Sequence, residues 1–103
     1  MKKPSLIEIT PETIDGWKKQ FGKVFKFSSE DGKAGYFKAP DRNTMDASSA
    51  LAKSNPVKSN EVLAKGCFLG GDEELLTSDA HFFGLSSQLS KLMEVKQGEL
   101  AEC

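Results

Sequence analysis

The chain has 103 residues, too few for two independent cores without disulfides or metals, so it reads as one domain spanning 1–103. Fourteen Lys+Arg against 15 Asp+Glu leave a net charge of −1, which excludes a strongly cationic nucleic-acid binder while permitting a local basic patch. At 38% hydrophobic and 28% charged the chain is polar for a globular domain, yet its seven Phe, one Trp and one Tyr argue against disorder.

The N-terminal Met1-Lys2-Lys3-Pro4 is followed only by Leu6, Ile7 and Ile9 before Thr10-Pro11, which gives no signal-peptide core. No apolar run approaches the ~20 residues of a membrane span. The expectation is a soluble cytoplasmic protein with no membrane partner, frayed at residues 1–5 and 98–103.

The first strong element is a helix. Thr10 can cap it, Pro11 takes the favoured first position, Ile14, Trp17 and Phe21 form its apolar stripe, and Gly22 supplies the stop. Gly16 weakens it, so packing of Trp17 must hold it in place. Ile7 and Ile9 either staple onto this helix or add a short strand. A two-stranded antiparallel hairpin follows, Lys23–Ser28 and Ala34–Ala39. Asp31-Gly32 signals a two-residue turn, but that register sets Phe27 opposite Tyr36. Shifting by one pairs Phe27 with Phe37 and Phe25 with Ala39. Burial of three phenylalanines should outweigh the turn preference, so a bulge or longer loop is expected at Asp31 to Lys33.

Three more helices complete the predicted α+β architecture: N-terminal helix, two-stranded antiparallel hairpin, three helices. The second runs from a cap at Asp41 or Asn43 to about Lys53, with small apolar positions that suit close packing. Asn55 caps the third and Pro56 opens it; Val62, Leu63, Cys67 and Phe68 form its buried face and Gly70-Gly71 ends it. The last is capped by Thr77 or Ser78 and carries Phe82, Leu85, Leu89, Leu92 and Met93 at helical spacing to about Lys96. That stripe either closes the core over the hairpin or serves a partner.

Candidate chemistry is thin, and no catalytic, cofactor-binding or metal-ligating residue is assigned. Cys67 and Cys103 are too few for a disulfide framework and no Cys/His cluster suggests zinc; Cys67 reads as a small hydrophobe and Cys103 as a loose thiol. His81 is the one histidine, and none of Ser48, Ser49, Ser86 or Ser87 sits in a nucleophile elbow. Asp72, Glu73, Glu74 and Asp79 could hold a hard cation, but they lack alternating ligand spacing and read as a solvated loop. Gly70-Gly71-Asp72-Glu73-Glu74 mimics the GGDEF-type signature of diguanylate cyclases; that domain is much longer and needs nucleotide-binding strands for which this chain has no room. No glycine-rich phosphate loop is present. Lysines 18, 19, 23, 26, 33 and 38 gather around Trp17 and Tyr36, a pattern that could bind single-stranded nucleic acid. A solvated lysine face is preferred, because those aromatics are wanted for the core.

The order of landmarks is Trp17-Lys18-Lys19-Gln20-Phe21-Gly22-Lys23-Val24-Phe25, a hairpin, Pro40-Asp41-Arg42, Asn55-Pro56, Asn60-Glu61-Val62-Leu63 and Cys67-Phe68-Leu69-Gly70-Gly71-Asp72-Glu73. Over most of residues 11 to 97 this resembles a group of small phage and prophage proteins that are similar to phage tail assembly chaperones. The resemblance implies a non-enzymatic, cofactor-free protein that binds the long helical tape-measure protein and keeps it soluble while tube subunits assemble. It also implies a possible longer form made by ribosomal frameshifting, which the polar Glu94–Cys103 tail would suit. It supplies no catalytic motif. A small nucleic-acid-binding accessory protein is the alternative.

Overall fold

The computed structural model describes residues 3–92 and 97–103. Helix α1, Pro11–Phe21, starts where the sequence places it: the Thr10 hydroxyl accepts the Thr13 amide at 3.2 Å and Pro11 opens the first turn. Gly22, at φ +87°, ends it. No α1 residue is fully buried. The helix is held through Trp17, whose ring lies 5.9 Å from Tyr36, and Phe21, under the Lys38 ammonium at 4.9 Å.

Strands β1, Val24–Ser28, and β2, Ala34–Lys38, form the hairpin, with Phe25 opposite Phe37, Phe27 opposite Gly35 and Lys26 opposite Tyr36. This corrects the expected register by two residues. The phenylalanines do share one face, as burial demands, but the loop sits one residue earlier than that register requires. Ser29 closes it by donating its amide to the Lys33 carbonyl at 2.8 Å, leaving Glu30, Asp31 and Gly32 as a three-residue loop with Gly32 at φ +91°. The left-handed glycine is thus used one step later than in a two-residue turn. Opposite Phe27, Gly35 leaves the space that Leu75, Phe68 and Phe37 fill; a Cβ there would lie 2.8 Å from Leu75.

Helix α2, Arg42–Leu51, is capped by Asp41, which accepts the Thr44 amide at 2.7 Å. Helix α3, Pro56–Cys67, is capped by Asn55, which accepts the Lys58 amide at 3.1 Å. The two helices approach closely because their contact residues are small. The buried hydroxyls of Ser48 and Ser59 lie 2.9 Å apart and each also donates to the other's carbonyl, so the pair is satisfied without water. Gly66 lies against Thr44 with no room for a Cβ.

The chain then departs from the expected two-stranded hairpin. Phe68–Gly71 is not the end of a helix but a third strand, β3, antiparallel to β2, giving a three-stranded sheet in the order β1-β2-β3. Phe68 pairs with Phe37, their rings edge-on at 5.5 Å, and a register shift between Tyr36 and Phe37 leaves Leu69 as the extra residue. All four residues of β3 are buried, and two are glycines, so the strand carries no alternation to betray it. Ile7 and Ile9 add no strand: Leu6–Glu8 is a single 3-10 turn, with Ile9 and Pro4 lying against Gly70. Residues 3–5, read above as frayed, are tied to β3: the Lys3 ammonium donates to the Phe68 carbonyl, and the Gly71 amide to that of Pro4.

The last predicted helix is divided. A single turn, α4, Glu74–Thr77, buries Leu75 completely; α5, Asp79–Ser86, carries Phe82 and Leu85; and Leu89–Leu92 is a 3-10 turn. The Ser87 hydroxyl donates to the Gly84 carbonyl at 2.8 Å, diverting the helix where Ser86-Ser87 already weakens it. The apolar stripe nonetheless serves the core: Phe82, Leu85, Leu89 and Leu92 cluster with Phe37, Leu63, Cys67, Phe68 and Leu75. Met93 and the extension to Lys96 fall outside the described residues. Residues 97–103 are exposed and carry neither helix nor strand.

Gly71 is the tightest point of the sheet. Its φ is +124°, and a Cβ would lie 2.6 Å from both the Ala34 carbonyl oxygen and the Gly35 Cα. Gly71→Ala should therefore cost about 3 kcal/mol or more in urea unfolding, since backbone clash adds to dihedral strain. Gly22→Ala, at φ +87° and ψ −108° with nothing within 4 Å of its Cβ, should cost less, about 2 kcal/mol, from dihedral strain alone.

Candidate functional site

The hairpin loop and the start of α5, fifty residues apart in sequence, meet through side chains. His81 Nε2 lies 2.7 Å from Asp31 Oδ2, and its Nδ1 lies 2.9 Å from the Ser78 hydroxyl. The Ser29 hydroxyl donates to the other oxygen of Asp31. Ser78 is the residue preceding α5, but its hydroxyl makes no cap bond to the helix backbone. The run Ser29–Asp31–His81–Ser78 has the residue types of a nucleophilic triad. Its connectivity is different: the serine sits three positions before the histidine on the same turn, bonded to Nδ1, and the carboxylate stands at the protein surface. The geometry serves as a clasp between loop and helix.

The hydrogen bond from Ser29, then that from His81, holds the Asp31 carboxyl down to about 2 from the usual 3.8. Asp31 was legible in the sequence only as a turn residue and His81 only as an isolated imidazole; nothing local links them.

Two concavities border this clasp. One, of about 590 Å³, lies between the loop and α5 and is lined by Phe27, Glu30, Asp31, Ala80 and His81. The next, of about 410 Å³, is lined by Phe25, Lys26, Phe37, Leu85, Leu89 and Lys91. They share Phe27, Ser28 and Gly84, so together they form one trough along β1. A separate hollow of about 530 Å³ opens between α3 and α4–α5, with Val57, Leu76, Phe82 and Phe83 as its apolar walls and Glu61, Lys65 and Asp79 at its rim. Val57 and Phe83 are 55% and 59% exposed, large apolar side chains left in water that line the same hollow. Glu61 and Lys65 are paired at 2.8 Å, and that hydrogen bond lowers the Glu61 carboxyl.

The acidic residues do not converge. Asp72 is spent on the sheet, accepting the Ala34 amide at 3.0 Å, and Glu74 reaches Lys33 at 3.4 Å. Among the described residues no group of three or more His, Cys, Asp or Glu could hold a metal. Gly70 and Gly71 of the cyclase-like run lie in β3 rather than at a hairpin tip. Burial pushes the Cys67 thiol up to about 11, away from nucleophile chemistry, while Cys103 is exposed. Ser48 is locked against Ser59.

Of the lysines in the N-terminal half, Lys26 and Lys38 lie over aromatic rings while Lys33 is drawn to Glu74, and the rings are in use. Trp17 lies on Tyr36, the Lys26 ammonium covers Tyr36 at 5.8 Å, and Lys38 covers Phe21 while also approaching Asp41 at 4.0 Å. A base-stacking platform needs open ring faces, and these hold α1 to the sheet. Among the described residues no helix is long and apolar enough to cross a membrane.

The clasp makes a pH-dependent contribution of defined sign. A carboxyl whose folded pKa is depressed adds stability above its unfolded value, near 4, and loses it as pH falls through 2. Asp31→Asn should lower the urea midpoint at pH 7, and the variant and wild type should converge as pH is taken from 4 to 2. His81→Ala should remove only part of the difference, since the Ser29 bond remains.

Compared with protein-family models, curated proteins and solved structures, the chain matches none.

Proposed function

We propose that this chain is a non-enzymatic protein-binding module of the tail-assembly-chaperone kind, acting in the cytoplasm of a phage-bearing host cell. Its partner is a long helical, tape-measure-type protein, and its docking surface is the hollow between α3 and α4–α5. The observation that carries this reading is the pair of exposed apolar side chains, Val57 and Phe83, flanking Leu76 and Phe82 in one concave surface. A hollow with apolar walls and charges only at the rim suits an amphipathic helix laid in by its apolar stripe. The core does not need Phe83: Phe82 and Leu85 already turn the buried side of α5 inward, so an aromatic ring on its other side is available for a partner. The order of landmarks over residues 11 to 97 supports the same reading. Nucleic-acid binding ranks second, because the Trp17 and Tyr36 rings it would need pack on each other.

Phe83→Asp places a charge at the centre of the surface without entering the core. In co-purification with a helical tape-measure segment from the same genome, it should weaken capture by at least about 30-fold, the scale of a hot-spot aromatic, with circular dichroism unchanged. Unchanged capture would count against this surface, and no capture by the wild type would count against the proposed function.

A further inference from the structure

The hollow between α3 and α4–α5 does not end at its own rim. Lys65, Leu76 and Thr77 also line a neighbouring hollow of about 310 Å³, whose other walls are Lys3, Phe68 and Glu73. The two form one groove. Val57, Glu61 and Lys65 recur every fourth residue of α3, which places them along one face of that helix. At 1.5 Å per residue their stripe is about 12 Å long, and Phe68 carries the groove past the helix end, so about three turns of a bound helix fit along it. Among the described residues nothing after Phe83 lines either hollow.

Charge divides the groove lengthwise. On the α3 side Glu61 is held by Lys65 at 2.8 Å, and Lys58 stands close enough to lower its carboxyl further. Lys3 lies where that side continues into β3, its ammonium donating to the Phe68 carbonyl. The facing side is acidic. Glu74 is drawn off to Lys33 at 3.4 Å, but Glu73 and Asp79 are exposed and make no ion pair among the described residues. Asp79, in the first turn of α5, favours that helix's dipole, and the Glu73 side chain makes no cap bond to α4. Neither carboxylate is therefore committed to a cation of this chain.

The identity of the occupant follows from this division, and the argument rests on the docking reading above. We propose that the groove takes an amphipathic helix of about three turns with Lys or Arg along one flank of its apolar stripe, seated so that this flank meets Glu73 and Asp79. The stripe passes over Val57 and Phe83, then Leu76, then Phe68. The other flank is neutral or acidic, since basic residues there would meet Lys3, Lys58 and Lys65.

The measurement is the affinity, by fluorescence anisotropy, of the full chain for a helical segment of the tape-measure protein from the same genome. Glu73→Gln combined with Asp79→Asn should weaken binding about fivefold at low ionic strength, the scale of two rim charge pairs, and the difference should vanish at about 0.5 M salt. Glu12→Gln combined with Asp15→Asn removes the same charge from α1, which lines neither hollow, and should leave binding unchanged. Replacing the segment's flanking Lys and Arg with Gln should weaken binding to the wild type by the same factor, and binding to the Glu73/Asp79 variant no further. That arm with the wild type needs no change to the protein, so it decides the matter if the variant fails to fold. Binding indifferent to Glu73 and Asp79, an equal loss in the α1 control, or capture of a segment with no Lys or Arg beside its stripe overturns this proposal and leaves the docking surface standing. A wild type that binds no such segment overturns the docking reading and this proposal with it.

Discussion

Phe37 stands where three remote parts of the chain converge. It faces Phe25 across the hairpin, meets Phe68 of β3 edge-on at 5.5 Å, and is 1% exposed within the cluster built by α3, α4, α5 and the Leu89–Leu92 turn. That convergence is possible only because β2 is bonded on both edges and because its neighbours are glycines where the layers come closest. Gly35 leaves the volume Leu75 occupies, and Gly71 lets β3 lie against the Ala34–Gly35 backbone. A chain of this size must bury most of its apolar area in one place to be stable, and the sheet's inner face is that place. The outer face is a lighter construction, in which Trp17 on Tyr36 and Lys38 over the Phe21 ring attach α1 without a fully buried side chain.

Much of this is legible from the sequence because it is written in local chemistry. Thr10-Pro11, Asp41 and Asn55-Pro56 each announce a helix start, and each is one. Alternation in Lys23–Ser28 and the return through Ala39 identify the hairpin, and the demand that the phenylalanines share a face is met. Its register was missed because the position of Gly32 in the loop, third rather than second, is fixed by the Ser29–Lys33 closure and not by the Asp-Gly pair itself. β3 was missed for a different reason. Phe68-Leu69-Gly70-Gly71 has no period of two, and its pairing with β2 lies more than thirty residues away. The last helix shows the converse error: i, i+3, i+7 spacing persists through Leu89 and Leu92 although the backbone breaks at Ser86–Gln88, because burial rather than helical continuity sets that pattern.

The candidate surfaces were less legible than the fold. Phe83 sits next to Phe82 in sequence, and only the orientation of α5 separates the core ring from the exposed one. Val57 comes from α3 and reaches the same hollow through tertiary packing. The Asp31–His81 clasp joins residues that are each unremarked locally. It also fixes the loop at one end of the β1 trough, which Glu30, Asp31 and His81 line. The α3–α5 hollow lies apart from that trough, sharing no lining residue with it.

The central claim is that the surface between α3 and α5 receives a helix. The most direct measurement is an NMR titration of the isotope-labelled full chain with a soluble helical segment of a tape-measure protein. Shift changes that saturate and centre on Val57, Leu76 and Phe83, with the Trp17 and Tyr36 signals unmoved, are the predicted result. No saturable change at those residues, or changes centred on Trp17, Tyr36 and their lysines when a single-stranded oligonucleotide is added instead, would contradict it.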